Sequence, residues 1–463
     1  MPDTPNFDYR FGFSMPDKSV YKAKKGLNAD LVRTISRMKK EPQWMTDFRL
    51  ESFQVFEKKS VPTFGPGLDK LNFDNLYYYL KPTDHQVDRW QDLPPEIKET
   101  YDRIGVPEAE KKYLSGVSAQ YDSEVVYESV QKKLIKDGVL FCDMSTAVSQ
   151  YPEIVKRYFG KLIPAADNKF AALNSAVWSG GSFVYVPPGV KVDLPLQAYF
   201  RINSERFGQF ERTLIIVEPG GEVNYIEGCT APVYATDSLH AAVVEIFVGE
   251  GAHCRYTTVQ NWSKNVFNLV TKRARAEKNA HMEWIDCNLG SQMTMKYPSV
   301  YLAGEGAKGE TLSIALASAG QVQDVGAKMI HMAPRTTSRI ISKSICKDGG
   351  RTSYRGLISI LPCAIGSKVY VSCDAMLIDG LSRSDTYPKM DVKCDDVEVQ
   401  HEATVERLSE EKLLYLMSRG ISKIDAEGLI VNGFIAPITR EIPLEYSIEL
   451  NKLINLEMKG SIG

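Results

Sequence analysis

Six stretches of this chain resemble one another: "VYVPPGVKVDL", "IIVEPGGEVNYI", "IFVGEGAHCRYT", "RAEKNAHMEWI", "LAGEGAKGETL" and "HMAPRTTSRII". Each reads as a strand, a small turn and a second strand. The residue before the second strand falls at Gly189, Gly221, Gly251, Ala280, Ala307 and near Thr337, a period of about 30 residues. One such coil cannot bury its apolar face alone. Stacked coils share a continuous core and pair edge to edge, so a fixed period predicts a mainly β chain built on a β-solenoid. A jelly roll also supplies many short strands, but nothing in it makes one turn recur at a fixed spacing. The solenoid is the favoured reading.

The repeat divides the chain into a helix-rich region (1–165), a β-helix core (166–405) and a small helical module (406–463). In the first region "NADLVRTISRMKKEPQWM" places Leu31, Ile35 and Met38 at helical spacing and ends before Pro42. "DSEVVYESVQKKLIKDG" predicts a second helix, capped at Ser123, with Val126, Val130 and Leu134 on one face and a stop at Gly138. The Pro/Gly-broken stretch between them carries an aromatic cluster, "LYYYL", read as packing. From about residue 170 to 405 helix signals vanish. Ser409 then caps "EEKLLYLMSRG", Gly420 stops it, Ser422 opens "KIDAEGLIVNG", closed by Gly433, and Pro443 starts the last helix. These helices either cover the open end of the solenoid or dock a partner.

Lys plus Arg (56) nearly balance Asp plus Glu (58), which argues against nucleic acid or an anionic membrane as partner. No apolar run approaches the roughly 20 residues of a membrane span. The first residues carry no apolar signal core, so a cytoplasmic location is expected. Eight cysteines, none in C-x-x-C, are then expected to be reduced thiols. No G-x-x-x-x-G-K-[ST], G-x-G-x-x-G or G-x-S-x-G lies in a suitable context. Any nucleotide energy is therefore expected to come from a partner.

Alternation places Cys229 on one face with Val223, Tyr225 and Glu227, before Gly228 and Pro232 break the strand. A thiol beside a carboxylate is unusual, although a buried core cysteine is the commoner outcome. Cys373 shares a face with Val369 and Val371, where the same plain reading applies. His401 lies on the Val397/Val399 face and Glu402 on the opposite one, so in a regular strand the pair cannot chelate one ion. His253, His281 and His331 have no partner at ligand spacing and read as structural.

Longer stretches carry a resemblance. "KGLNADLVRTISRMKKEPQWM", "SAVWSGGSFVYVPPGVKVDLPLQAYFRIN", "QFERTLIIVEPGGEVNYIEGCTAP", "LHAAVVEIFVGEGAHCRYTTVQNW", "VTKRA", "KMIH", "SYRG" and "HEATVERLSEEKLLYLMSRGISKIDAEGLIVNGF" resemble the SufB/SufD family, and on "EGCTAP" with "HEAT" its SufB branch. SufB is the scaffold of the Suf iron–sulfur cluster assembly machinery. The resemblance implies a helical N-terminal region, a right-handed parallel β-helix and a C-terminal module that docks an ABC-type ATPase, SufC. It also implies pairing with SufD, or a second copy, through the β-helix, and sulfur delivery by a cysteine desulfurase with its carrier. The family's sulfur-accepting cysteine falls on Cys229, and its inward path on Arg201, Asn203, Gln260, Trp262 and Lys272. Its cluster-bearing cysteine falls on Cys373, and its histidine and glutamate on His401 and Glu402. Many members carry a glutamate where this chain has Gln400. Besides the iron–sulfur cluster, a reduced flavin is a candidate cofactor.

The residue types suit that chemistry. A persulfide carrier needs a thiolate, and Lys272 or Arg201 nearby would lower the thiol pKa while Glu227 opposes them. A Cys–His–Glu set holds iron more weakly than four thiolates and so suits transfer. Two other readings remain: a β-helix carbohydrate-active enzyme, which would need acids clustered along one face, and a SufD-like structural partner, which would need neither Cys229 nor Cys373.

Overall fold

Strands begin at Glu222, His253, His281, Lys308, Thr337, Ser367 and Val397, following the recurring turn and continuing it for two coils beyond the last one recognised in the sequence. The computed structural model describes residues 19–65, 67–83, 86–104, 114–231, 237–442 and 444–458. Pro232 and Pro443 therefore lie outside the described residues.

These strands form one wall of a solenoid. A ten-stranded sheet runs from Val397–Arg407 through Ser367–Leu377, Thr337–Cys346, Lys308–Ala317, His281–Gly290, His253–Trp262, Glu222–Thr230 and Leu196–Arg201 to a hairpin at Gly116–Tyr121 and Glu124–Val130. The opposite wall runs from Arg383–Val392 through Arg351–Ile360, Val322–His331, the pair Met293–Lys296 and Ser299–Leu302, Val266–Ala276, Val243–Val248 and Arg212–Val217 to Ser182–Val186 and Leu140–Asp143. Pairing between coils is parallel; within these sheets it is antiparallel only where Gly116–Tyr121 meets Glu124–Val130 and Leu140–Asp143 meets Ser182–Val186. Register holds residue by residue, so Glu222, His253, His281 and Lys308 stack in one column. Variation in the period is absorbed by the turns. Inward residues stack likewise: the Tyr225, Tyr256 and Trp284 rings follow one another at 5.0 and 5.2 Å.

The stacking leaves little room at the corners. Gly290 has φ +72°, and a Cβ there would overlap the backbone carbonyl of Trp262 in the coil below. Gly290→Ala is therefore expected to lower the unfolding free energy by roughly 2–4 kcal/mol, from left-handed strain plus overpacking. Urea unfolding followed by circular dichroism measures it.

The N-terminal region is bonded to the first coils. Glu245, fully buried, pairs with Arg212 at 2.6 Å and accepts the N–H groups of Gly160, Leu162 and Ile163. Arg49 pairs with Glu41 at 2.6 Å and donates to the Ala176 and Trp178 carbonyls. The helix Ala29–Met38 is capped by Asn28, and a second helix, Gln43–Lys58, follows Pro42. Tyr78 and Tyr79 of the aromatic cluster are buried, so packing is indeed their role.

Several elements differ from expectation. The helix expected from Ser123 is a strand, Glu124–Val130, followed by one helical turn at Lys132–Lys136. A four-residue spacing is even, so Val126 and Val130 share a strand face as well as a helical one, and β-branched residues beside a hairpin partner favour the strand. A helix, Lys169–Val177, lies inside the segment read as pure β. Phe170 to Val177 are all buried, and a helix apolar all round has no amphipathic period to read. The strand carrying Cys229 continues through Gly228 to Thr230. The helix opened by Ser422 passes Gly433 and ends at Thr439, because Gly433 does not take the positive φ that Gly420 takes at 86°.

The C-terminal module does not cap the solenoid end. Val431, Ile435, Ile438, Leu450 and Ile454 pack on Ile285, Cys287, Leu289, Leu312, Ile314 and Leu316, the outer face of the ten-stranded sheet. Val397–Arg407 and Arg383–Val392 stay at the free ends of their sheets.

Candidate functional site

Cys229 points into the solenoid and is fully buried. It is in register with Phe200 on one side and Gln260 on the other. Its thiol donates to Glu227 Oε1 at 3.4 Å, while the Tyr256 hydroxyl donates to the other oxygen of that carboxylate. Burial, followed by the Glu227 and Glu211 charges, pushes the Cys229 pKa well above the ordinary thiol value; Lys272 acts in the opposite direction and does not prevail. The expected cationic activation is thus not met, because desolvation outweighs one neighbouring ammonium.

Around the thiol lies a buried polar chain. Lys272 Nζ sits 4.6 Å from the Tyr256 ring centroid, donates to the Thr258 hydroxyl and reaches Asp286 Oδ1 at 3.3 Å. Lys296 Nζ lies 2.9 Å from the same oxygen and 3.2 Å from Gln260 Oε1. Asn268 donates to Gln260 at 2.8 Å and meets His240 Nδ1 at 2.8 Å. His240 Nε2 ends the chain 2.8 Å from Glu211, its ring 4.7 Å from Trp262. Burial works to raise the Asp286 carboxyl, but the two lysines hold it down at about 2. Burial lowers Lys296 below the ordinary lysine value.

Of the residues expected along the inward path, Gln260 and Lys272 join this chain and Trp262 packs on its His240. Arg201 donates to the Thr230 hydroxyl at 3.1 Å, and Asn203 is buried with its backbone N–H donating to Asp122. Residues that motif reading missed complete the network: Asp286, Lys296, His240, Glu211, Asn268 and Tyr256. Their signal in the sequence is a charge at inward parity. Lysine in "MTMKY" stands where the neighbouring coils place Val270 and Val325, and aspartate in "WIDCN" where they place the small polar Thr258 and Ser313.

Cys373 lies in Ser367–Leu377, on the inward face and 5% exposed. Five strand spacings separate its coil from that of Cys229, roughly 24 Å. Burial pushes its thiol up to about 12, against the influence of the Tyr354 hydroxyl. Cys373 is in register with Ala403, and Val371 with His401, so His401 stands two residues along the same inward face. Val397 and Val399, of the same parity, pack on the solenoid core. His401 Nε2 is buried without a hydrogen-bond partner among the described residues. Glu402, in register with Ser372, is exposed on the other face, as is Gln400. Val397–Arg407 is a continuous strand paired residue by residue with Ser367–Leu377, so Glu402 stays on the face opposite Cys373.

Two histidines read as lacking partners acquire them. His253 and His281 stack at 4.9 Å, with Glu283 beside them; their partners are one period away in sequence, which local spacing cannot reveal. His331 is structural as expected, bonded to Thr336 and Ser338, its pKa lowered to about 4 by burial.

The fold and these sites define a parallel β-solenoid with one thiol buried in a charged interior and another near its open end. Sequence comparison places that class. Residues 200–434 match the family model for the SUF system FeS cluster assembly SufBD core domain, and residues 33–198 the SufBD protein N-terminal region. The chain is 57% identical over 456 residues to iron–sulfur cluster assembly SufBD family proteins of Staphylococcus haemolyticus, Staphylococcus epidermidis and Staphylococcus aureus, covering 98% of each chain. It belongs to the SufB/SufD family of iron–sulfur cluster assembly proteins. No described helix is long and apolar enough to cross a membrane.

Proposed function

We propose that this chain is a SufB-type scaffold, which accepts sulfur at Cys229 and builds a nascent iron–sulfur cluster at the open end of its solenoid. The observation that carries this reading is the placement of two thiols on one continuous interior face. One adjoins a buried cation–carboxylate chain; the other lies two residues along from an unpartnered imidazole.

In the acceptance step the Cys229 thiolate attacks the outer sulfur of a donor persulfide. The donor's S–S bond breaks, the donor leaves as thiolate, and the new S–S bond is on Cys229. Glu227, already accepting the thiol hydrogen, takes the proton. A thiol this buried neither ionises nor meets a donor protein in the closed state, so the step needs an opening motion. A partner ATPase of the SufC type supplies it. Helix Glu410–Ser418, with Leu414, Tyr415 and Met417 exposed and none of its residues buried, supports the module as the docking surface.

The cluster is the cargo. Cys373 Sγ and His401 Nε2 hold iron from the inside. Glu402 contributes only across the free edge, where a SufD-type paralogue or a second copy pairs with the solenoid. Exposed Tyr387, Met390, Val392 and Val405 near that edge support such pairing.

Persulfide trapping tests the sulfur entry point. The native complex, given a cysteine desulfurase, its carrier and cysteine without oxygen, is expected to carry an alkylatable extra sulfur on Cys229. Cys229→Ser should lose it and Cys373→Ser should retain it. Sulfur found only on Cys363, the exposed thiol, would contradict the assignment.

A further inference from the structure

On the outer face of the ten-stranded sheet, away from both thiols, two imidazoles and a carboxylate converge. His253 and His281 occupy the same column of adjacent coils, and their rings lie parallel, with an interplanar angle of 10°. Glu283 follows His281 by two residues and so faces the same side. His253 Nε2 is 3.0 Å from Glu283 Oε2. His281 Nε2 is 3.8 Å from Glu283 Oε1 and 3.5 Å from Glu310 Oε1, and it is buried without a hydrogen bond among the described residues.

We propose that His253, His281 and Glu283 form a divalent transition-metal site, of the kind that takes Fe²⁺ or Zn²⁺, on the outside of the solenoid. One ligand atom from each residue falls in a group within 4.8 Å. Bonds of 2.0–2.1 Å around a tetrahedral ion place ligands roughly 3.3 Å apart, so small side-chain rotations close the site. Two imidazoles and one carboxylate match borderline divalent ions, and leave coordination positions open. A shared ion must lie in the plane of both rings, so the imidazoles, stacked at 10° in the metal-free state, tilt out of parallel about their side-chain bonds when they bind it.

Without metal, cations already compensate the carboxylate. Arg255 holds Glu283 through Nε at 2.6 Å and Nη2 at 3.1 Å, and reaches the Glu441 carbonyl at 3.2 Å. Glu222 Oε1 stands 3.6 Å from His253 Nδ1. An entering ion displaces the guanidinium from one carboxylate oxygen. The site thereby touches the segment that follows helix Lys423–Thr439, and occupancy alters the link between solenoid and C-terminal module. None of this depends on where sulfur enters.

Cobalt titration tests the site. With the Cys373 thiolate removed by Cys373→Ser, the metal-stripped chain is expected to bind about one Co²⁺ with visible d–d absorption and no thiolate charge-transfer band, as nitrogen–oxygen ligation requires. The His253→Asn/His281→Asn variant in the same background should lose that equivalent while its thermal unfolding is unchanged. Arg255→Gln should tighten binding several-fold by freeing Glu283. Equal Co²⁺ binding with and without the double substitution would overturn the proposal, as would Co²⁺ that binds only with thiolate charge transfer. If the double variant proves unstable, weaker binding by Arg255→Gln would overturn it independently.

Discussion

Replacing Asp286 by alanine is expected to destabilise the protein by about 3–5 kcal/mol, since it strands two buried ammonium groups in the solenoid core. Lys272 and Lys296 both rely on this carboxylate, at 3.3 and 2.9 Å, and all three side chains are almost fully buried. The same dependence sets a pH window. The Asp286 pKa is held down at about 2, below the ordinary carboxylate value near 3.9. Its contribution is therefore fully present above the ordinary value and is lost as pH falls through the folded one. Chemical denaturation at neutral pH and near pH 2 measures both effects.

A second variant separates structure from function. Converting the triad together, Lys272→Met, Asp286→Leu and Lys296→Met, removes every stranded charge and is expected to keep much of the wild-type stability, as other buried ion triads do when exchanged for apolar groups. It should nonetheless fail in sulfur transfer, because the interior next to Cys229 then lacks the lysine ammonium that acts on its thiol and would stabilise a persulfide anion. Wild-type sulfur transfer by a stable triple variant would make the network purely structural.

Much of this architecture was legible because it repeats. The turn residues Gly221, Ala280 and Ala307 directly precede strands, and Asn28, Ser409 and Ser422 cap helices as their side chains predict. What escaped was set by long-range contacts. Val126 and Val130 suit either period, and only the hairpin partner Gly116–Tyr121 decides for a strand. Lys169–Val177 is helical among buried neighbours that erase amphipathicity. Of the candidate site, the sequence motifs reach Cys229, Gln260 and Trp262, which the fold places in or against one buried polar chain. The site was illegible where register alone brings groups together, as with Asp286 and Lys296, or His253 and His281. Parity correctly separated His401 from Glu402, and the structure sharpens this: His401 faces the core and Glu402 the exterior.

The second large effect concerns Cys373. Among the described strands it is the cysteine nearest the free end of the solenoid, two residues along from the unpartnered His401 nitrogen; Cys394 lies in the turn that follows Arg383–Val392. Removing it takes away the one soft ligand of the proposed site, and imidazole alone does not hold a sulfide-bridged iron cluster. Cys373→Ala is therefore expected to abolish cluster formation. His401→Ala should weaken it, and Cys229→Ala should spare it when free sulfide replaces the persulfide route. The substitution at Cys373 leaves a small void and should cost only about 1 kcal/mol of stability, so loss of the cluster would not reflect unfolding.

The most direct test is anaerobic reconstitution of the purified chain with ferrous iron and sulfide, followed by visible absorption after desalting. The scaffold account predicts sulfur-to-iron charge-transfer bands in wild type and Cys229→Ala and none in Cys373→Ala. Absence of those bands in wild type, or bands of equal strength in Cys373→Ala, would contradict it.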